Sequence, residues 1–204
     1  MPKLVPAQGR SGREIDRIAQ CILDDFQPAA IEEPQVVDVE AIFEFGLPGL
    51  GIEPDYQPLE QRGIQGYTDL ENMVCVVSAE LADDSTAAPY FRSTVAHEIG
   101  HAILHIPEYR RRRQKIISEQ SSNDRIFHRL PDTEIPIYEN PEWQAHRFAG
   151  GLLMPEAAVR KAISVYRDGR AALSTIFEVT PAFARSRLKG LNMRSRLKGL
   201  NMLN

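Results

Sequence analysis

The stretch of this 204-residue chain best equipped for chemistry is His97-Glu98-Ile99-Gly100-His101. Two histidines four apart on a helix project from one face, about one turn along the axis, so both imidazoles can reach a single metal ion. Glu98, one position on, points partly away. It is badly placed as a third ligand and well placed to take a proton from water at the metal. The bland alternative is two partly buried histidines bonded to backbone. Val95, Ala96, Ile99, Ala102, Ile103 and Leu104 surround the pair with an apolar helical pattern, so the helix belongs to a core that would hold ligands stiffly.

His105 does not extend the set. It lies eight residues beyond His97, roughly 12 Å along the axis and about 80° round, and reads as a helix-end histidine interacting with the dipole. A third histidine six positions beyond the second is also missing, since residue 107 is Pro and residue 104 is Leu. A carboxylate must come from elsewhere. Asn140-Pro141-Glu142 is a helix-start signature, with Asn as the cap, Pro in the first turn and an acid at the positive end of the dipole. The helix runs on to Leu153, and Glu142 shares a face with His146. Ala145, Ala149 and Gly150-Gly151 would let another helix approach closely. Zinc held by His97, His101 and Glu142, with water in the fourth position, is one reading. The other is an acid that interacts only with the helix dipole.

The elements that must position these residues follow from periodicity. A helix is expected over about 13–26 (Ile15, Ile18, Ala19, Ile22, Leu23, Phe26), a short one over 36–45, and the metal helix over about 90–105. Residues 52–59 carry Pro and allow only an edge strand or loop. Residues 64–68, a turn at 69–72, and 73–79 read as strand, turn, strand, so a small sheet immediately precedes the metal helix. Such an edge can pair with an extended peptide, or be plain structure. Residues 80–89 read as an acidic loop. The stretch 107–140 is expected to border the cleft, and its Arg110–Lys115 cations to be a solvated face.

An apolar fraction of 43% supports a real core, and a net charge of −4 gives no global pull towards nucleic acid. Cys21 and Cys75 lack metal spacing and read as reduced, buried thiols. No signal-peptide pattern or apolar run near 18 residues is found, so a cytoplasmic protein without a membrane span is expected. Four stretches are expected: a flexible leader at 1–12, a peptidase-like domain at 13–168, a helix-turn-helix-like extension at 169–193, and a tail at 194–204. In the extension, Arg185, Arg187 and Lys189 are few and late, so DNA binding is disfavoured against a helical buttress. Residues 185–193 (RSRLKGLNM) recur identically at 194–202. Nine residues turn a helix by about 180°, so the copies cannot dock alike, and the second is expected to be a loose tail from duplication or a cloning scar.

The motifs R-S-T-V-A-H-E-I-G-H-A-I-L-H (92–105) and E-W-Q-A-H-R-F-A-G-G-L-L-M-P (142–155), preceded by a strand-turn-strand, resemble the ImmA/IrrE metallo-endopeptidases over roughly residues 60–190. The resemblance implies an α+β, zincin-like fold, with a small, mostly antiparallel sheet packed on helices that include the H-E-x-x-H helix. It also implies one zinc ion on His97, His101 and Glu142, with Glu98 as general base and a helix-turn-helix repressor as protein substrate. Where the family usually has Asn, four residues after the third ligand, this chain has His146. It is expected to support a ligand by hydrogen bonding, or to approach the metal itself, or simply to be packed core. Candidate oxyanion donors are Tyr67, Tyr90, Tyr109, His128 and Tyr138. Two alternatives to a repressor-cleaving peptidase are a DNA- or protein-binding regulator with a structural or sensory metal site, and the metallo-partner of a toxin–antitoxin pair.

Overall fold

The computed structural model describes residues 3–59, 63–119, 130–165 and 169–193. His128 and the repeated stretch 194–202 lie outside them. The fold is α+β, as expected.

Strand β1 (Lys3–Leu4) leads into α1 (Gly12–Phe26), whose start is capped by Ser11 accepting from the Glu14 N–H. Ile15, Ala19 and Leu23 form its buried face, and Cys21 sits on the exposed one. The expectation that both cysteines are buried is therefore corrected for Cys21. The second helical segment starts at α2 (Val39–Ala41), where the Asp38 side chain accepts from Ala41 N–H, and continues through a wider π turn (Ile42–Gly46) into α3 (Leu47–Gly49). It overruns the end expected at Gly46, with Pro48 falling in its last turn, after the wider π turn in which Leu47 N–H bonds Ile42 O.

Strands β2 (Glu53–Gln57), β3 (Gly66–Asp69) and β4 (Val74–Ser78) form a sheet in the order β2-β4-β3. β3 and β4 are the expected antiparallel hairpin, with Tyr67 opposite Val76. β2 pairs parallel to β4, with Asp55 opposite Val76, so the sheet is mixed and not mostly antiparallel. The helical crossover that commonly separates parallel neighbours is replaced here by β3, which returns the chain to the end from which β2 began. Pro54 is tolerated because β2 is an edge. The continuous run Cys75, Val76, Val77 is fully buried at the centre.

Ser78 then caps α4 (Ala79–Asp83), making a helix of what composition suggested was loop. The H-E-x-x-H helix is α5 (Ala88–Glu119), far longer than expected, because Pro107 does not end it. Pro107 withdraws one N–H from the ladder, and Arg10 Nη2 donates to the neighbouring carbonyl of Leu104 at 3.2 Å. Strand β5 (Leu130–Pro131) pairs antiparallel with β1. Helix α6 (Pro141–Leu153) starts as predicted, Asn140 accepting from the Trp143 N–H. Helices α7 (Glu156–Val165), α8 (Gly169–Ile176) and α9 (Pro181–Gly190) follow.

The core is a stack: the sheet packs on α5, α5 on α6, and α6 on α1 and α9. Phe43, Ile99, Phe148, Leu152 and Phe177 are among its fully buried side chains. The segment expected to be a flexible leader is tied down instead. Ala7 N donates to Glu139 O at 2.8 Å and Arg10 N to Tyr138 O at 2.9 Å, and the Arg10 side chain is buried. Among the described residues no helix is long and apolar enough to cross a membrane.

Candidate metal centre

Helices α5 and α6 cross where Gly100 meets Ala145. A methyl group at Gly100 would stand 3.0 Å from the Ala145 carbonyl oxygen, so glycine permits this approach. Of the small residues foreseen on the second motif, Ala145 lies at this crossing, whereas Gly150 faces Arg187 of α9 and Gly151 faces Asp16 and Ala19 of α1. On the α5 side Val95, Ala96, Ile99 and Ala102 are fully buried, which fixes the rotation of the helix and turns His97 and His101 towards α6.

There three side chains converge. The His97 and His101 Nε2 atoms are 3.0 Å apart, and the Glu142 oxygens lie 3.3 Å from His97 Nε2 and 3.5 Å from His101 Nε2. A tetrahedral ion with bonds of about 2.0–2.1 Å needs donors separated by about 3.3–3.4 Å, and the three distances bracket that edge. Two imidazoles and a carboxylate are also a donor set that suits zinc. The residues therefore fit a metal ion. His97, His101 and Glu142 are the group of metal-binding type found among the described residues. The close imidazoles of His101 and then His97 hold the Glu142 carboxyl far below the ordinary carboxylate range.

Glu98 lies beside this triad, under β3, and lines the same cleft. Its Oε2 accepts from Thr68 Oγ1 at 2.9 Å, and it is 6% exposed. Burial raises its pKa, against the opposing pull of His97 and of the Thr68 hydroxyl. Gly66 makes the room: a methyl there would lie 2.8 Å from Glu98 Cγ and 3.0 Å from Val76 O. Gly66 and Thr68 escaped the sequence reading. Strand alternation, which puts both on the face opposite Tyr67, was the signal available for them.

An open cleft of about 670 Å³ runs past the triad, between Gly66–Glu71 on one side and Leu4–Ala7 on the other. Of the proposed oxyanion donors, Tyr67 and Tyr109 border this cleft and Tyr90 and Tyr138 do not. The Tyr67 hydroxyl donates to Gln57 Oε1 at 3.3 Å. His146 is not brought into the triad. One turn beyond Glu142, its ring passes the centre and meets α9, with Nε2 2.9 Å from Ser186 Oγ and an edge-on contact with Phe183.

His105 is also placed differently from expectation. It lies mid-helix and buried, with Nδ1 3.0 Å from His101 Nδ1 and Nε2 3.2 Å from Gln144 Oε1. Burial, and then the charge of His101, pushes its pKa down to about 3.

The arrangement can hold one divalent ion at an open face, with a buried carboxylate beside it. Residues 81–189 match the model of a peptidase family described as the IrrE N-terminal-like domain. A Mycobacterium tuberculosis transcriptional regulator is similar in structure, with a TM-score of 0.55 at 15% identity, the match covering 87% of this chain and 46% of that one. That likeness is one of fold, and this chain spans less than half the length of that relative. No curated protein matches the sequence.

Proposed function

The chain belongs to the ImmA/IrrE family, matching its IrrE N-terminal-like peptidase domain over more than half its length, and on that premise we propose that it is a zinc-dependent endopeptidase of narrow specificity. The observation that carries the proposal is the convergence of His97, His101 and Glu142 from two helices onto an open cleft, with Glu98 buried beside them. Zinc sites that serve only structure are closed by four protein ligands, whereas three ligands at an open face suit catalysis. This favours hydrolysis over a structural or sensory metal.

In this reading His97, His101 and Glu142 hold the ion. Zinc, when bound, supplies Lewis acidity towards the scissile carbonyl and eases deprotonation of water. Glu98 accepts a proton from the attacking water and returns it to the leaving amine nitrogen. Thr68 holds one Glu98 oxygen by hydrogen bond, leaving the other for that exchange. The outer edge of β3 borders the cleft, and an extended peptide added there would lie along the triad, walled on its far side by residues 4–7. Tyr67 and Tyr109, which border the cleft, are the candidates for stabilising the oxyanion. His146 supports α9 and takes no part as a ligand.

The substrate we propose, on the family resemblance, is a helix-turn-helix transcriptional repressor. The test is incubation of the zinc-loaded chain with helix-turn-helix repressors encoded in its genomic neighbourhood. Cleavage at a single site by the wild type, and none by Glu98→Gln with zinc still bound, is expected. Equal cleavage by both proteins would contradict the mechanism.

A further inference from the structure

Four buried polar groups behind the triad play no part in the reaction above: His105, Gln144, Arg10 and Glu108 are each 8% exposed or less. Their hydrogen bonds determine where the protons lie. The Gln144 side-chain N–H groups donate to the carbonyls of Gln8 at 2.8 Å and Tyr138 at 2.7 Å. Its Oε1 therefore faces the other way, where Arg10 Nη1 donates at 2.8 Å and His105 Nε2 lies at 3.2 Å. An amide oxygen only accepts, so His105 Nε2 carries a proton and His105 Nδ1 presents a lone pair. That lone pair faces His101 Nδ1 at 3.0 Å. In the neutral ring His101 Nδ1 is then the donor, and His101 Nε2, beside His97 and Glu142, carries the lone pair a metal ion needs.

We propose that His105, Gln144 and Arg10 are positioning residues that hold His101 in its metal-ligating tautomer, and that the segment Gln8–Arg10 is latched to the metal centre through them. The proposal rests on the metal reading of the triad. Ligating histidines commonly give their second N–H to a carboxylate, a backbone carbonyl or water. Here the acceptor is a second imidazole, whose own orientation depends on a glutamine of α6 and an arginine from the N-terminal segment. Glu108 completes the latch, accepting from Gln8 N at 2.6 Å and pairing with Arg10 at 3.2 Å.

Two measurements on the full chain test this. Long-range proton–nitrogen correlation spectra of histidine-labelled protein should show His105 as the Nε2–H form and His101 as the Nδ1–H form. Zinc affinity, read by competition with a chromophoric chelator, should fall about 10- to 100-fold in His105→Phe and in Gln144→Met, and fall also in Arg10→Met. His105→Asn, whose Oδ1 can accept from His101 Nδ1, should recover most of that loss. His105 in the Nδ1–H form would overturn the proposal. So would folded His105→Phe and Gln144→Met proteins that hold zinc as tightly as the wild type. Should those two variants not fold, the spectra of the unaltered chain and the affinity of His105→Asn decide. A wild-type chain that takes up no zinc would overturn the metal reading itself, and this proposal with it.

Discussion

Glu98 can lie beneath β3 only because residue 66 has no side chain. In Gly66→Ala the new methyl meets Glu98 Cγ at 2.8 Å and the Val76 carbonyl at 3.0 Å, and the backbone oxygen cannot yield cheaply. The carboxylate must move. Zinc content should be unchanged while turnover falls about 100-fold or more, the range of a misplaced general base, as read by metal analysis beside a cleavage assay. Undiminished turnover would contradict the placement of Glu98. The two cysteines give a second residue-scale prediction. Cys75 is fully buried, and burial pushes its thiol up to about 12, so the reactive thiolate is scarce at pH 8. Cys21 is exposed. Iodoacetamide at pH 8 should add once to the folded chain, at Cys21, and twice after unfolding, as counted by mass spectrometry. At this scale the H-E-x-x-H spacing and the Asn140-Pro141-Glu142 start were legible, because both are local helical geometry. For His146 the same logic left support of a ligand, ligation and plain packing open, and it packs against α9. Sharing a face with Glu142 said nothing of the extra turn that carries its ring past the centre to Ser186.

Between elements, the centre depends on how closely helices cross. Asp16 of α1 pairs with Arg187 of α9 at 2.8 Å and with Arg147 of α6, and Arg187 also donates to Met154 O at 2.9 Å. The Arg187 side chain is 2% exposed, so removing its partner leaves a buried charge uncompensated. Asp16→Ala should cost about 3–5 kcal/mol, read as a lowered urea midpoint, and a loss within error of zero would contradict the pairing. The helices themselves were readable: α1 begins within a residue of where apolar periodicity put it, and α6 follows Asn140, read as its cap. Three features were not. Pro107 reads as a helix stop, yet α5 runs through it and places His105 in mid-helix. The parallel pairing of β2 has no local signature in Glu53–Gln57. The segment before α1 looks flexible from its Pro and Gly content, but its order comes from bonds to Glu108, Tyr138, Glu139 and Gln144, all distant in sequence.

For the whole molecule, the stack of sheet, α5, α6 and α1 explains why two motifs some forty residues apart make one centre: both lie on the helices that share the deepest packing. Helix α9 belongs to the same stack, and its most buried cation, Arg187, is committed to Asp16. With a net charge of −4 besides, the chain should show no salt-dependent binding to duplex DNA at physiological ionic strength in a fluorescence anisotropy titration. Tight, sequence-selective binding there would favour a regulator over a peptidase.

The measurement that bears most directly on the account is zinc stoichiometry across three proteins prepared alike. Wild type and Glu98→Gln should each carry one zinc per chain, and Glu142→Ala, with one of its three ligands removed, should lose most of its metal to a competing chelator. Glu142→Ala that retains zinc as firmly as the wild type, or a folded wild-type chain that binds none, would contradict it.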